Sequence, residues 1–207
     1  AMLTIEGLGT LDDRFLPAVK NLNLTIKSGE IVGIAGVSGN GQREMAQAIA
    51  GLRPITSGKV TISGKDLTNA PPSERFTAGL GYVPEDRLGV GLAPRLTVTE
   101  NAILRCYKSL RKSIFLVSEQ AVNYCKEIID RFGVRTGPID EPIAGLSGGN
   151  LQRLLVGREL SGNPKVVLAA QPTRGLDVQG VKAIQDLLID ERAEGVAVLL
   201  ISEDLDE

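Results

Sequence analysis

A glycine-rich segment, GVSGNGQR, separates two stretches of different hydrophobic periodicity. The preceding EIVGIAG is apolar on both faces, which is typical of a buried parallel strand. The following QREMAQAIAGL places Met45, Ile49 and Leu52 on one face of a helix. Glycines at a helix N-terminus let backbone N–H groups turn inward, where the helix dipole favours an anion. The segment therefore predicts a strand-loop-helix unit that can hold a phosphate group.

The rest of the chain continues this alternation of strands and helices. NLNLTIKSGE has the period of two expected of a half-exposed strand, and LTIEGLG is predicted to pair antiparallel to it. KVTISG, GLGYVPE, KVVLAA and VAVLLIS predict further strands, whereas residues 88–145 are predicted to be helical. The pattern predicts an α/β fold in which a parallel-sheet core carries a helical insertion.

Composition narrows the classes of function. The 207 residues suffice for one substantial core with a smaller subdomain. A net charge of −2 without a basic stripe predicts no nucleic-acid partner. The sequence contains no histidine, which excludes mechanisms that need an imidazole. Cys106 and Cys125 lack metal-ligand spacing and are predicted to be reduced core thiols of a cytosolic protein.

The glycine-rich segment departs from the phosphate-loop pattern G-x-x-x-x-G-K-[ST] at its last two positions. Gln42 replaces the lysine that neutralises the phosphates, and Arg43 replaces the hydroxyl that binds Mg²⁺. A charge-assisted hydrogen bond contributes about 1.5–3 kcal/mol, so the missing lysine predicts binding weakened roughly ten- to a hundredfold. A plain strand-to-helix turn is the alternative interpretation. The candidate nucleotide-binding residues are Gly36, Val37, Ser38, Gly39, Asn40, Gly41, Gln42 and Arg43.

Two further motifs follow the phosphate loop in the chain. LSGGNLQ offers a serine N-cap and two glycines at a predicted helix start, which is a second site for an anion. About 20 residues later comes PKVVLAAQPTRGLD, a strand that ends in alanine and glutamine rather than in two carboxylates. Each motif alone is a weak signal, and the spacing of the set is a strong one.

This set of motifs resembles the nucleotide-binding domain of ABC transporters over almost the whole chain. The resemblance implies a P-loop NTPase fold, with a RecA-like parallel-sheet core and an antiparallel β subdomain over 1–86 and 154–207. It implies an inserted α-helical signature subdomain over 87–153. Asp177 matches the family's D-loop aspartate. The signature positions are Leu146, Ser147, Gly148, Gly149, Asn150 and Gln152.

Four more positions depart from the family's pattern. Ala170 and Gln171 stand where the Walker B strand has a metal-binding aspartate and a water-polarising glutamate. Glu85 replaces the Q-loop glutamine, and Glu203 replaces the switch histidine. Glutamine cannot accept a proton, and Mg²⁺ loses both of its protein ligands. The resemblance therefore implies a domain that is inactive or nearly so, without a Mg²⁺ site of its own.

The retained signature implies a role in a pair of domains. In ABC dimers two domains pack head to tail, and the signature of each caps the ATP held by the other's phosphate loop. A chain that keeps Ser147, Gly148 and Gly149 is expected to complete a partner ATPase domain's site, with ATP bound weakly or in trans. YVPEDR, AAQPTRGLDV and ISEDLDE further resemble the second, C-terminal ATPase domain of bacterial importers for nucleosides and simple sugars.

That resemblance implies a fragment of a larger two-domain protein, at the cytoplasmic face of the membrane and peripheral to it. The expected partners are transmembrane permease subunits, and the expected substrate is a nucleoside, with a simple sugar as second choice. Leu96 and Val98 are candidate permease contacts, or else core residues of the helical part. Phe15 is a candidate for stacking on adenine.

Two alternative functions remain open at the level of sequence. In the first, the chain is an active ATPase that uses Glu203 or Glu85 as its base. In the second, it is a soluble ABC module that acts outside transport. Arg43 either replaces part of the Mg²⁺ charge or is an exposed arginine of the first helical turn.

Overall fold

The computed structural model describes residues 1–37, 39–112, 115–116 and 118–203, which fall into two compact units. The first unit comprises Ala1–Glu85, Asn163–Pro172 and Gln185–Glu207. The second comprises Asp86–Gly162 and Thr173–Ile184, and it includes the segment 87–153 that was predicted as the helical insertion.

The described elements alternate as the α/β prediction requires. The strands are β1 Leu3–Leu11, β2 Pro17–Ile26, β3 Ile31–Ala35, β4 Ser57–Ile62, β5 Lys65–Asp66, β6 Leu80–Val83, β7 Arg111–Lys112, β8 Phe115–Leu116, β9 Val166–Ala170 and β10 Ala197–Ser202. The helices are α1 Gln42–Ala50, α2 Pro72–Thr77, α3 Val98–Ile103, α4 Ser118–Phe132, α5 Gly148–Ser161 and α6 Val178–Ala193.

Two sheets and α1 form the core of the first unit. The antiparallel sheet has the order β2-β1-β4-β5, and its pairing of Leu3 with Ile26 confirms the predicted β1–β2 hairpin. The parallel sheet has the order β3-β10-β9-β6. Met45 and Ile49 of α1 are buried among apolar residues from both sheets, as predicted. Leu52 lies beyond the end of α1 and is exposed, so its predicted place on the buried face is wrong.

The prediction that EIVGIAG forms a fully buried strand is wrong in one respect. β3 is parallel, but residues along it alternate between exposed and half-buried, and Ile31 is exposed. The reason lies in the order of the described strands, where β3 stands at one end and pairs only with β10. An end strand lacks the cover that a second neighbouring strand gives, whatever its own sequence.

In the second unit α3, α4 and α5 all carry buried residues, and the helical prediction for 88–145 needs correction. Ala121, Cys125, Ile128 and Phe132 form the buried face of α4. α3 ends at Ile103, and the chain then makes turns and the short β7–β8 hairpin. No described helix is long and apolar enough to cross a membrane.

The structure gives the burial of four residues in this unit that the sequence had singled out. Val98 is 1% exposed, which favours its interpretation as a core residue over that as a permease contact, whereas Leu96 is half-buried. Cys125 is buried and Cys106 half-buried, and both are free thiols. Burial raises the pKa of both thiols, which keeps them protonated near neutral pH.

Arg75 of α2 stabilises the C-terminal end of the helix that follows the glycine-rich loop. Its Nη1 donates to Ala48 O at 2.6 Å and to Ile49 O at 2.7 Å. Its Nη2 donates to Thr68 O at 2.9 Å, and its Nε donates to Ala70 O at 3.1 Å. Burial lowers the pKa of the guanidinium. A cation at a helix C-terminus complements the helix dipole, so Arg75 holds α1 in place.

Replacement of Arg75 by methionine removes the side-chain donor of these four carbonyl groups, of which Ala48 O keeps its hydrogen bond from Gly51 N. We expect Arg75→Met to lower the free energy of unfolding by at least about 3 kcal/mol, because unpaired buried polar groups are costly. Urea denaturation measures the change. Arg192→Met, at an exposed arginine of α6 in the same unit, is the control and should cost less than about 1 kcal/mol. Equal losses in the two variants would contradict the structural role of Arg75.

Candidate functional site

The parallel register places the carboxyl ends of β3, β10, β9 and β6 at the same edge of the sheet. Gly36 follows β3, Gln171 follows β9 and Glu203 follows β10, while Glu85 lies two residues after β6. Ligands of open parallel sheets bind beyond the carboxyl ends of the strands. Four positions singled out in the sequence therefore lie at the edge where a ligand is expected.

Hydrogen bonds connect three of these strand ends directly. Gly36 N donates to Ser202 O at 3.3 Å, and Gln171 N donates to Ile201 O at 2.8 Å. Glu203 N donates to Gln171 Oε1 at 3.3 Å. Gln171 has a φ of 51°, an uncommon conformation for a residue other than glycine. Its carboxamide is therefore engaged with the chain that follows β10, next to the start of the glycine-rich loop.

The glycine-rich loop has the backbone that a phosphate loop needs. Gly39 and Gly41 have φ angles of 89° and 90°, which L-residues rarely adopt. A Cβ atom at Gly41 would lie 2.4 Å from Ala18 O, whereas one at Gly39 would meet open space. Gly41 precedes α1 without any side-chain cap, so the first N–H groups of α1 have no side-chain acceptor from the capping position.

Val37 and Asn40 are exposed, and Ser38 lies outside the described residues. A Cβ at Gly36 would lie 2.8 Å from Gln42 Nε2, so the carboxamide of Gln42 folds back towards the start of the loop. Gln42 thus supplies an uncharged amide where the phosphate-loop pattern has an ammonium group.

Arg43 points into a cluster of carboxylates. Its Nη2 lies 2.9 Å from Asp13 Oδ2 and 3.0 Å from Glu44 Oε1. Arg53 Nη2 contacts the other oxygen of Asp13 at 2.5 Å. The hydrogen bond from Arg43 to Glu44 raises the pKa of the guanidinium. This pairing favours the interpretation of Arg43 as a surface arginine over its replacement of Mg²⁺ charge.

Glu44 is absent from the residues predicted from the sequence, although it bears on the same site. It lies in the first turn of α1, and its side chain is only 10% exposed. A carboxylate at a helix N-terminus interacts favourably with the dipole that would otherwise attract a phosphate. The signal in the sequence was an acidic residue two positions after Gln42.

The residues at this edge do not fit a protein-bound magnesium ion. Ala170 is 5% exposed and presents a methyl group where an oxygen ligand is needed. The described residues contain no group of three or more histidine, cysteine, aspartate or glutamate side chains placed to hold a metal. This edge of the sheet therefore has the backbone amides of the glycine-rich loop beside it, but no lysine at Gln42 and no oxygen ligand at Ala170.

The signature residues form a separate feature of the second unit. Ser147 caps the 14-residue helix α5, and its Oγ accepts hydrogen bonds from Asn150 N at 3.4 Å and Asn150 Nδ2 at 2.9 Å. Asn150 Oδ1 accepts from Arg135 N at 2.8 Å. Ser147 and Gly148 are exposed, while Leu146, Gly149 and Asn150 are half-buried. The helix N-terminus is thus ordered and open to solvent.

Gln152 does not belong to this exposed group. It is 1% exposed, and its Nε2 has no hydrogen-bond partner in the structure. Its place in the signature set stays a prediction, and the structure shows that its side chain lies on the buried face of α5.

Asp177 lies at the start of α6, where its Oδ1 accepts from Gly180 N at 2.8 Å. Asp177 and the neighbouring Val178 are both exposed. The carboxylate therefore caps α6 while it remains accessible from outside.

The family of the chain follows from comparison with known proteins. The ABC transporter family model matches residues 19–174. The chain belongs to the ABC transporter family. Its fold is the P-loop ABC cassette, as the motifs predicted. The dimeric structure of the ATP-binding cassette MJ0796 bound to ADP and Pi is 28% identical, with a TM-score of 0.84, and covers 99% of this chain and 89% of that chain.

Two similar ABC proteins have names that describe import. A glucose import ATP-binding protein of Haloferax volcanii is 42% identical over 210 positions, and a guanosine import ATP-binding protein of Bacillus subtilis is 41% identical over 208. Both alignments cover 100% of this chain, but only 38% and 41% of those proteins. The chain thus spans about two fifths of the length of these relatives.

The two glycines of the loop provide a matched test of its backbone. Gly39→Ala adds left-handed strain alone and should cost about 1–2 kcal/mol. Gly41→Ala adds the clash with Ala18 O to similar strain and should cost more than about 3 kcal/mol. Urea denaturation of the two variants measures both losses. A loss for Gly41→Ala no larger than that for Gly39→Ala would contradict the described approach of the loop to β2.

Proposed function

We propose that this chain is a degenerate ATP-binding domain of an ABC importer that contributes its signature loop to a partner domain's ATP site. One contrast carries the proposal. The helix N-terminus at Ser147 is exposed and has no charged residue in its first turn, whereas the first turn of the phosphate-loop helix is occupied by Arg43 and Glu44, which pair with each other. The exposed N-terminus of α5 is therefore suited to bind a phosphate group of another molecule.

The chain's own sheet edge supports weak or absent catalysis. Gln171 occupies the position expected of a general base, and a carboxamide cannot take a proton from water. Ala170 offers no oxygen to a metal ion, so the charge that develops on a transferring phosphoryl group lacks its usual partner. Carboxylates at Glu85 and Glu203 add negative charge near the same edge. ATP is therefore expected to bind this domain weakly or in trans, without Mg²⁺ held by its side chains.

The signature loop supports service to a partner domain. Several N–H groups at the start of α5 have no intrahelical acceptor, and the helix dipole concentrates positive potential there. Ser147 adds a hydroxyl, and nothing lies within 4 Å of a Cβ built at Gly149. A phosphate can approach this backbone closely. In a head-to-tail pair it would be the phosphate on the partner's loop.

The relatives support an importer with a nucleoside or a simple sugar as cargo. Their names include guanosine, nucleoside, glucose and ribose import ATP-binding proteins. The degenerate positions favour the second, C-terminal ATPase domain of such a two-domain protein. Its place is then the cytoplasmic face of the membrane, beside permease subunits.

The permease contact is better assigned to a different pair of residues than Leu96 and Val98. Leu88 and Val90 are both exposed, and they lie on the helical turn Arg87–Gly91 that follows Glu85. Exposed apolar side chains next to the Q-loop position suit a contact with a transmembrane subunit.

A pair of variants in the whole ATP-binding protein tests the division of labour between the two loops. Ser147→Ala removes a contact to the partner's phosphate and should lower ATP turnover at least about tenfold. Gln42→Ala alters only this domain's own loop and should change turnover less than about twofold. Steady-state phosphate release measures both. Normal turnover in Ser147→Ala with a large loss in Gln42→Ala would reverse the proposed roles.

The chain on its own should show no ATP turnover above background, because base and metal ligands are missing. Any ATP binding measured by calorimetry should be the same with and without EDTA, since no side chain holds Mg²⁺. Robust turnover that disappears in Glu203→Gln or Glu85→Gln would instead establish an active ATPase with an unorthodox base.

A further inference from the structure

The guanidinium of Arg87 connects two backbone segments of the second unit. Its Nη1 donates to Gly148 O at 3.0 Å, and its Nη2 donates to Arg174 O. Gly148 is the first residue of the signature helix, and Arg174 lies in PTRGLD, three residues before Asp177. One side chain therefore bridges the signature loop and the segment that leads to the D-loop aspartate.

Both segments approach the guanidinium closely because both present glycine. A Cβ at Gly148 would lie 3.1 Å from Arg87 Nη1, and one at Gly175 would lie 3.4 Å from Nη2. Gly175 also has a φ of 68°, so a larger residue there would be strained.

We propose that Arg87 is a positioning residue that holds the signature loop in the orientation needed for Ser147 to contact a partner's nucleotide. This inference rests on the proposed function of the signature loop. Arg87 does not itself touch the nucleotide; it acts through the Gly148 carbonyl and thereby fixes the first turn of α5.

The bridge needs the shape of arginine. A guanidinium is planar and presents several N–H donors in a fixed fork, so it can serve two carbonyl groups at once. Lysine carries the same charge on a compact ammonium group, and it would bind one of the carbonyls without fixing the other. Both described acceptors are neutral carbonyls, so in these contacts the positive charge also remains beside the anion-attracting end of α5.

The backbone that carries Arg87 is itself held firmly. Asp86 Oδ1 accepts from Gly89 N at 2.8 Å, and Leu92 N donates to Arg87 O at 2.6 Å, which closes the turn. At the far end of the turn, Arg158 Nη2 donates to Gly91 O at 2.7 Å.

Arg158 lies near the C-terminal end of α5, so the turn Arg87–Gly91 is tied to both ends of the signature helix. Arg158 is buried and paired with Glu159, which also binds Arg105. The Arg158 contact is thus part of the folded core, whereas the Arg87 contact is half-exposed.

This difference separates positioning from stability. Gly148 and Arg174 are exposed, so water can replace the donor when Arg87 is removed, and no buried carbonyl is left unpaired. Loss of Arg87 should therefore leave the fold nearly unchanged while it frees the first turn of α5. A merely structural residue would show the opposite behaviour.

The test measures ATP turnover of the whole ATP-binding protein, which includes the partner domain. The variants are Arg87→Ala and Arg87→Lys, and the control is Lys126→Ala, at an exposed residue of α4. We expect Arg87→Ala to lower kcat about tenfold or more, while KM and the number of ATP molecules bound change less than about twofold. Arg87→Lys should recover only part of the loss, and Lys126→Ala should behave as the unaltered protein.

Amide hydrogen exchange supplies a readout that does not depend on turnover. In Arg87→Ala the amides of Gly149 and Asn150 should exchange about tenfold faster, whereas those of α4 should not change. The unfolding midpoint should remain near that of the unaltered protein. A large fall of the midpoint together with global acceleration of exchange would overturn positioning in favour of a structural role.

Ser147→Ala in the same assay separates the two levels of the account. If Ser147→Ala reduces turnover but Arg87→Ala does not, positioning by Arg87 is wrong and the proposed function stands. If Ser147→Ala has no effect, the proposed function fails and takes the role of Arg87 with it. Full activity of Arg87→Lys would overturn the need for two simultaneous hydrogen bonds. The double variant Arg87→Ala/Ser147→Ala should lose no more ATP turnover than Ser147→Ala alone. If the losses of the two single variants instead multiply, Arg87 does not act through Ser147.

Discussion

An anion is attracted to the unpaired N–H groups at a helix N-terminus, and this attraction underlies both loops of the chain. The chain places two such helix ends after glycine-containing loops, at α1 and at α5. At α1 the first turn holds the ion pair of Arg43 and Glu44, and no lysine stands in the loop before it. At α5 the end is capped by Ser147 and left open. The same electrostatic principle therefore gives one helix end that is partly satisfied internally and one that is available to another molecule.

The parallel sheet determines which side chains lie near the N-terminus of α1. The register of the parallel sheet brings Gly36, Gln171 and Glu203 together, and Glu203 N donates to Gln171 Oε1. The strand ends and the glycine-rich loop therefore lie close together, and the side chains at this edge include the carboxamide of Gln171 and the methyl group of Ala170. In the second unit, Arg87 donates hydrogen bonds both to the N-terminus of α5 and to the segment before Asp177, and so connects the two. Both α1 and α5 begin after a loop whose backbone can approach an anion, and the two helix ends differ in the side chains around them.

Local periodicity predicted much of the fold, whereas properties set by distant neighbours were out of reach. The β1–β2 hairpin, α1 and α4 have patterns that any strand or helix must show to bury one face. The exposure of β3 depends on its place at the end of the strand order, which its own residues do not encode. The helix α5 buries polar residues such as Gln152, Arg158 and Glu159 together with its leucines, so the burial of Gln152 could not be read from the spacing of apolar residues. Arg87 ends the motif YVPEDR and Glu44 follows Gln42 by two positions, but the sequence does not show their roles, because these arise from contacts made in the fold. The assigned site residues remain predictions.

A structure of the whole protein with ATP and magnesium tests most directly where this chain's signature loop meets a nucleotide. We expect Ser147 Oγ at about 3 Å from a phosphate oxygen of ATP that is held on the partner's loop. We also expect no cation beside Ala170. A magnesium ion seated against Ala170 with cleaved product on this chain's own glycine loop, and no nucleotide at Ser147, would contradict the proposed function.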